Sequence, residues 1–355
     1  MLAAAIGGSS ATVSGRATAA TTPAIRLGVY YYPGWFPSAW TAAKAWEPIK
    51  PYADRTPLLE WYDPRSPEVL GQQIRWMGDY GMNYVVFDWT YSHGAEHLGE
   101  VIDTYLRLPQ TAVQFSILWA NHDQPTSREE MRAIVQTWLS RYMKSGKFLK
   151  VDGKPVVFIF SFQKFRDDAR GDRSSAKAYI AEANAMARRA GLPGIYFVGG
   201  VDDTSSDWVK QEAVASGINA ISTYNFHRKP EVERDRDPYW GRAFHGYAGL
   251  DAAYRAQWAA ARGLPVPFVV PMSSGWDKRP WGGSDDPLHD RSIGDAAAFR
   301  AHLAAGRRAI VNYGNGSRLG VICCWNEFGE GSFIEPTRKD RFSKLEQVRA
   351  VFGQQ

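Results

Sequence analysis

The chain has 355 residues, 45% of them hydrophobic and 22% charged, which is enough apolar material for a large buried core in one domain or two. Its formal charge of +5 comes from 42 basic and 37 acidic residues scattered without a long block, so the basic stripe of a nucleic-acid-binding surface is missing. No stretch reaches the roughly 18 consecutive apolar residues that span a bilayer.

Residues 1–24 are mostly Ala, Thr, Ser and Gly and differ from everything that follows. Met1 to Ile6, followed by Ala17-Thr-Ala19, resembles the tail of an export signal with a small-residue cleavage site, which predicts a secreted or periplasmic protein; a disordered leader is the alternative reading. From residue 25 to 355 no composition break marks a second domain.

Within that span, short apolar runs alternate with longer amphipathic stretches. Ile25–Tyr32 is rich in strand-forming residues and stops at Pro33-Gly34. Ser66–Tyr80 reads as a helix with Pro67 in its first turn, and Asn83–Trp89 as a buried strand. A helical pattern over Ala95–Leu108 precedes a strand at Gln114–Trp119. Ser127–Lys144 opens with Ser127 three residues before Glu130, a capping-box spacing. Strands at Pro155–Ser161, Ile195–Gly199, Ile218–Tyr224, Pro267–Met272 and Leu319–Trp325 follow. Helices are expected near Ser174–Ala190, Ser206–Ser216, Leu250–Arg262, Ile293–Ala305 and Arg341–Phe352. Eight strand–helix repeats predict an α/β chain folded as a (β/α)₈ TIM barrel, with long loops at Phe226–Gly249 and Ser273–Arg291. A doubly wound sheet is the rival, but no Gly-x-Gly-x-x-Gly follows the first strand.

A barrel places its site at the C-terminal mouths of the strands. Aromatic and hydrogen-bonding residues recur there: Tyr32 and Trp35, Asp88 and Trp89, Trp119 with Asn121 and His122, Tyr224 and Asn225, Trp276, and Trp325 with Asn326 and Glu327. Tyr31 and Tyr32 must point to opposite faces, so at most one faces the barrel axis. The last strand breaks into Trp325-Asn-Glu327-Phe-Gly-Glu330, and Glu335 follows. Two carboxylates beside an indole suit acid–base work on a sugar, whose C–H face stacks on aromatic rings. The plainer reading is a strand followed by a solvated acidic turn. Glycines 329 and 331 allow the turn to fold tightly.

Each residue also has a plainer role. Asp88 can cap a helix, Trp35 and Trp276 can be core although their Gly and Pro neighbours suggest exposed turns, and Glu335 can anchor its loop. His122 and Asp123 have no His-x-x-x-His or third close histidine, so no metal site is expected. Cys323 and Cys324, the only cysteines, read as buried thiols. Neither a phosphate loop nor a Gly-x-Ser-x-Gly elbow is present, and no cofactor is called for.

Tyr30-Tyr-Tyr-Pro-Gly-Trp35, Phe87-Asp-Trp89, Trp119-Ala-Asn121 and Trp325-Asn-Glu-Phe-Gly-Glu-Gly-Ser-Phe-Ile-Glu-Pro336 resemble glycoside hydrolase family 99 and its family 99-like relatives. The resemblance covers about residues 25–352, and the strand-eight motif is its specific part. It implies a retaining glycoside hydrolase acting on a polysaccharide or oligosaccharide, with Glu327 as general base and Glu330 as general acid. It also implies a route through a 1,2-anhydro sugar, which requires O2 trans to the leaving group, as in α-mannosides and α-rhamnosides. The mannosidases of that family carry Trp-His between the two glutamates, whereas this chain has Phe328-Gly329, so mannan specificity does not transfer. Asp88, Asn121, Tyr224 and Asn326 are then expected to position hydroxyls, with Trp35, Trp276 and Trp325 as stacking faces. A non-catalytic carbohydrate-binding or polysaccharide-assembly protein, or a polysaccharide lyase, are the alternatives. Oligomeric state is not readable from sequence.

Overall fold

The structure, a computed structural model, describes residues 24–37, 45–122, 124–226, 245–284 and 287–353. Eight parallel strands make the core: β1 Arg26–Tyr31, β2 Tyr84–Ser92, β3 Gln114–Trp119, β4 Lys154–Ile159, β5 Tyr196–Gly200, β6 Ala220–Ser222, β7 Val270–Ser273 and β8 Leu319–Cys323. Each pairs with the next in the chain except at β6 and β7. There a single bridge, Ile221 to Phe268, joins the two edges, supported by Ile221 N–H donating to Pro267 O at 3.0 Å and Val269 N–H to Ile221 O at 2.9 Å. β8 returns to β1 with Leu319 opposite Arg26, so the ring is that of the expected (β/α)₈ barrel.

Period-two alternation sorts the strand side chains. Tyr30, Tyr84, Val86, Leu118, Val156, Phe158, Val198, Ala220 and Val321 pack against one another inside the barrel. Tyr31, Val85, Phe87, Trp89, Ile117 and Trp119 belong to the outer cluster beneath the helices. A Cβ at Gly28 would lie 2.0 Å from the Tyr84 ring, so the glycine makes room for a tyrosine that crosses the interior. The Tyr84 hydroxyl donates to Gly320 O at 2.8 Å, which satisfies its polar end.

The surrounding helices are α1 Pro67–Asp79, α2 Gly99–Arg107, α3 Arg128–Arg141, α4 Phe162–Gly171, α5 Ala176–Arg189, α6 Gly246–Ala260, α7 Ala296–Tyr313 and α8 Ser343–Phe352. Ser66 caps α1 by accepting from Val69 N–H, Pro67 opens it, and Leu70, Gln73, Ile74 and Met77 form its buried stripe. Ser127 caps α3 as its spacing predicts, accepting from Glu130 N–H at 3.2 Å.

Several elements differ from the sequence expectation. Ala95–His97 is a short strand antiparallel to the end of β2, so the helix expected from Ala95 starts only at Gly99. Helix α4 was not anticipated, because Ser161 caps it immediately after β4 and leaves no connecting loop to mark it. Helix α7 runs eight residues past Ala305, with Asp295 as its cap. The expected loop over Phe226–Gly249 overlaps the first residues of α6, and residues 227–244 of it lie outside the described residues, as do 1–23 and Asp123. Cys323 and Cys324 are not free thiols: they form a vicinal disulfide across a cis peptide bond.

Candidate active site

Beyond β8 the chain makes a hairpin. Asn326 and Glu327 pair antiparallel with Phe333 and Ser332, leaving Phe328-Gly-Glu-Gly331 as the loop. Glu330 N–H donates to Glu327 O at 3.2 Å, so the two glutamates bracket one tight turn. Gly331 closes it at φ +72°, a conformation glycine adopts without a Cβ penalty. Gly329 is needed for another reason, space: a Cβ there would stand 2.1 Å from the Trp281 ring.

Glu327 is buried, accepts the Tyr224 hydroxyl at 3.0 Å on Oε1, and leaves Oε2 without a protein partner among the described residues. Glu330 is half-buried, and its Oε2 is likewise buried and unpartnered. Asp88 continues the inward-facing row of β2 after Tyr84 and Val86, and its Oδ1 is unpartnered too. Burial raises the Glu327 carboxyl well above the usual range, and the charges of Glu330 and Asp88 raise it further. Burial lifts Glu330 to about 7, against a lowering by the Lys278 ammonium. Asp88 is raised by burial and then by Glu330. The Tyr32 and Tyr224 hydroxyls are also raised, first by burial and then by all three carboxyls. Tyr224 touches Glu327 directly, and the charges of these groups act on one another, so ionising one carboxyl disfavours ionising the next.

The rim is aromatic. Tyr32 meets Trp281 edge to face at 6.0 Å, and across the mouth Tyr224 packs on Phe160 at 5.3 Å, with exposed His122 against Phe160 at 5.5 Å.

Other expected site residues are placed elsewhere. Trp89 and Trp119 follow the outward register and pack on Trp138 of α3. Trp35 is buried, stacked on Trp46 at 4.2 Å, with its indole N–H on Asn326 O. Trp276 is buried against His289, and Trp325 is fully buried in the outer cluster. The exposed turns expected at Trp35 and Trp276 are thus buried contacts, since Gly and Pro neighbours let the chain turn inward as readily as outward. Asn121 latches the end of β3 to that of β4, exchanging 2.9 Å hydrogen bonds with both backbone groups of Ser161. Asn326 does the same for β1, holding Tyr32 N–H and O at 2.9 Å each. Asn225 bonds Tyr254 and Ser332. Glu335 is buried, accepting from Tyr62 at 2.6 Å and Gln73 at 3.0 Å, in a chain that runs from Tyr31 through Gln73 and Tyr62 to Asn326. Asn326, held in turn by Tyr62 and Glu335, fixes Tyr32, and Asn225 braces Ser332 opposite Glu327 on the hairpin.

Trp281, Lys278, Phe160 and Arg55 escaped the sequence reading. Arg55 is buried, ion-paired with Asp277 at 2.5 Å, and donates to the carbonyls of Asp277 at 3.0 Å and Phe328 at 2.5 Å. Asp277 N–H in turn donates to Glu330 O at 2.6 Å. The loop after β7 is thereby clamped to the hairpin that carries the glutamates. The Gly282-Gly283 pair beside Trp281 was the available signal for a tight, functional turn.

The site is thus a pair of carboxyls on a hairpin after the eighth strand of a (β/α)₈ barrel, a fold shared with family 99 glycoside hydrolases. Solved structures agree on the fold. A "Glycoside hydrolase-like protein" superposes with TM-score 0.65 at 12% identity, over 96% of this chain and 97% of that one. The family 99 endo-α-mannosidase of Bacteroides thetaiotaomicron gives TM-score 0.61 at 14% identity, over 92% and 96%. Residues 38–348 match the model of the family described as "Glycosyltransferase WbsX", and the chain belongs to that family. The uncharacterized protein WxcX of Xanthomonas campestris pv. campestris is 22% identical over 310 residues. That alignment covers 82% of this chain but only 42% of WxcX. Among the described residues no helix is long and apolar enough to cross a membrane.

Proposed function

We propose that this protein is a retaining glycoside hydrolase, acting within a polysaccharide whose sugar carries O2 trans to the leaving group. The observation that carries the reading is the pair Glu327 and Glu330 on one hairpin at the barrel mouth, each with a buried oxygen free of protein partners among the described residues. Such oxygens are costly to bury unless a ligand hydroxyl completes them. In the first step Glu327 takes the proton of the 2-hydroxyl and O2 bonds to C1. The C1–leaving-oxygen bond breaks as Glu330 delivers its proton to that oxygen. In the second, Glu330 takes a proton from water, the water oxygen bonds to C1, the C1–O2 bond breaks, and Glu327 returns its proton to O2. Burial fits the acid role of Glu330, because a carboxyl near 7 both holds and releases a proton at neutral pH, whereas Glu327, raised by burial and by its two carboxyl neighbours, must give up its proton before it can act as base.

Hydrolysis of an α-mannan and α-rhamnan panel, followed by product analysis, tests the reading. Glu327→Gln and Glu330→Gln are each expected to lose at least about 10³-fold in turnover, the upper part of the range for acid–base groups. Near-wild-type turnover in either variant rejects the assignment. The family's description favours a second reading, in which a sugar hydroxyl replaces water in the second step and the chain serves polysaccharide assembly. Longer oligosaccharides formed from donor plus acceptor, in place of free reducing ends, would identify that outcome.

A further inference from the structure

The floor of the site is acidic, yet its rim next to Glu330 carries the cation Lys278. Lys278 is half-buried and forms no ion pair among the described residues, whereas its neighbour Arg279 is committed to Asp277. Asp277 N–H on Glu330 O fixes Lys278 beside the acid by backbone geometry. Three residues on, Trp281 lies over Gly329, meets Tyr32 at 6.0 Å, and keeps part of its surface open. Its indole N–H has no protein acceptor among the described residues and, unlike the buried unpartnered indoles of Trp138 and Trp325, belongs to a ring that is partly open. The loop is held rigidly, since Trp281 N–H donates to Lys278 O at 2.9 Å and Asp290 receives Lys278 N–H at 2.8 Å.

We propose that Lys278 and Trp281 form a subsite for an acidic pyranose, with the indole under the sugar's C–H face and the ammonium on its carboxylate. This rests on the acid role of Glu330, because the sugar beside the proton donor is the one that departs. A neutral sugar then sits over Asp88, Glu327 and Glu330, where a second anion would be repelled, and a uronate occupies the leaving-group side. Gly329 becomes the specificity-determining position, since any side chain there would displace the Trp281 platform.

The test uses the full chain carrying Glu327→Gln, titrated by saturation-transfer NMR. The probes are α-mannosyl- and α-rhamnosyl-(1→4)-glucuronate, each with its carboxyl-reduced (1→4)-glucose partner. The expected result is about tenfold tighter binding of the acid member in at least one pair at low salt, shrinking as ionic strength rises. Adding Lys278→Ala should abolish the acid preference but leave neutral binding in place. Trp281→Ala should weaken both members, and Trp281→Phe should restore part of the loss. No acid preference in either pair, or one that survives Lys278→Ala, overturns the proposal. Cleavage by the wild type without acid preference rejects the subsite alone, whereas acid preference without cleavage rejects the hydrolase reading and keeps the subsite.

Discussion

Arg55 offers a direct test of how the acid-bearing hairpin is held. Its side chain and that of Asp277 are each only 4% exposed, so the ion pair between them is not screened by solvent. Burial disfavours the guanidinium's charge, and Asp277 offsets that cost. Removing one partner of a buried pair typically costs about 3–5 kcal/mol. Here Asp277 keeps a two-point contact with Arg279 at 2.8 and 2.6 Å, which lowers the loss to about 2 kcal/mol. The carbonyls of Asp277 and Phe328 also lose a charged donor, for about 1 kcal/mol each. Arg55→Met is therefore expected to destabilise by about 3–4 kcal/mol. With unfolding entropy near 2.1 cal/mol/K per residue, that is a fall in Tm of about 4–6 °C for a chain of this size. Freeing Phe328 O lets Glu330 drift, and a misplacement of about 1 Å costs turnover on the order of 10²-fold. Thermal and urea unfolding together with steady-state turnover, with Asp277→Asn completing a double-mutant cycle, supply the measurements. A Tm change under about 1 °C with unchanged turnover, or a coupling energy near zero, would refute the clamp.

Three further outcomes are expected. The rate should fall as pH rises through about 7, because Glu330 loses the proton it must donate. In Glu330→Gln that limb should vanish, with partial rescue by an aryl leaving group that departs without protonation; an unchanged limb would assign it to another residue. Glu335, raised by burial from an ordinary 4.5 to about 8, favours folding fully below the ordinary value and loses that contribution as pH climbs toward the raised one. The ceiling is about 5 kcal/mol, so Glu335→Gln should flatten the decline in urea midpoint between pH 5 and 8, and an equal slope in both proteins would show that the carboxyl does not titrate there. Finally, Gly329→Ala should raise KM about tenfold while Tm shifts little, since Trp281 at the half-open rim can swing away; unchanged KM would mean its ring position is irrelevant to substrate.

What the sequence disclosed and what it hid divide along physical lines. Strands were legible because a buried parallel strand is a continuous apolar run with punctuated ends, and Val85 to Phe87 or Val156 to Ile159 can be little else. The glutamate pair was legible because hairpin chemistry is local: strand end, four-residue loop and Gly331 are consecutive in the chain. Orientation was not. Asp88 and Trp89 are adjacent and were both assigned to the mouth, but the two-residue period forces one inward and the other under α3. Fixing that register from sequence requires knowing which of two alternating apolar sets faces the axis, and in this barrel both sets are apolar. Aromatic roles failed for a related reason. An indole buried with its N–H on a backbone carbonyl, as in Trp35, has the same local sequence cues as one left open on a glycine, as in Trp281. The difference lies in contacts made across large sequence separations, Trp35 to Asn326 and Trp281 to Gly329, which no local pattern records. The Arg55 clamp is of the same kind, joining a turn before α1 to hairpin atoms more than 200 positions away. The groups that do the chemistry were thus visible in one short motif, while those that aim them are distributed around the barrel and emerge only when it closes.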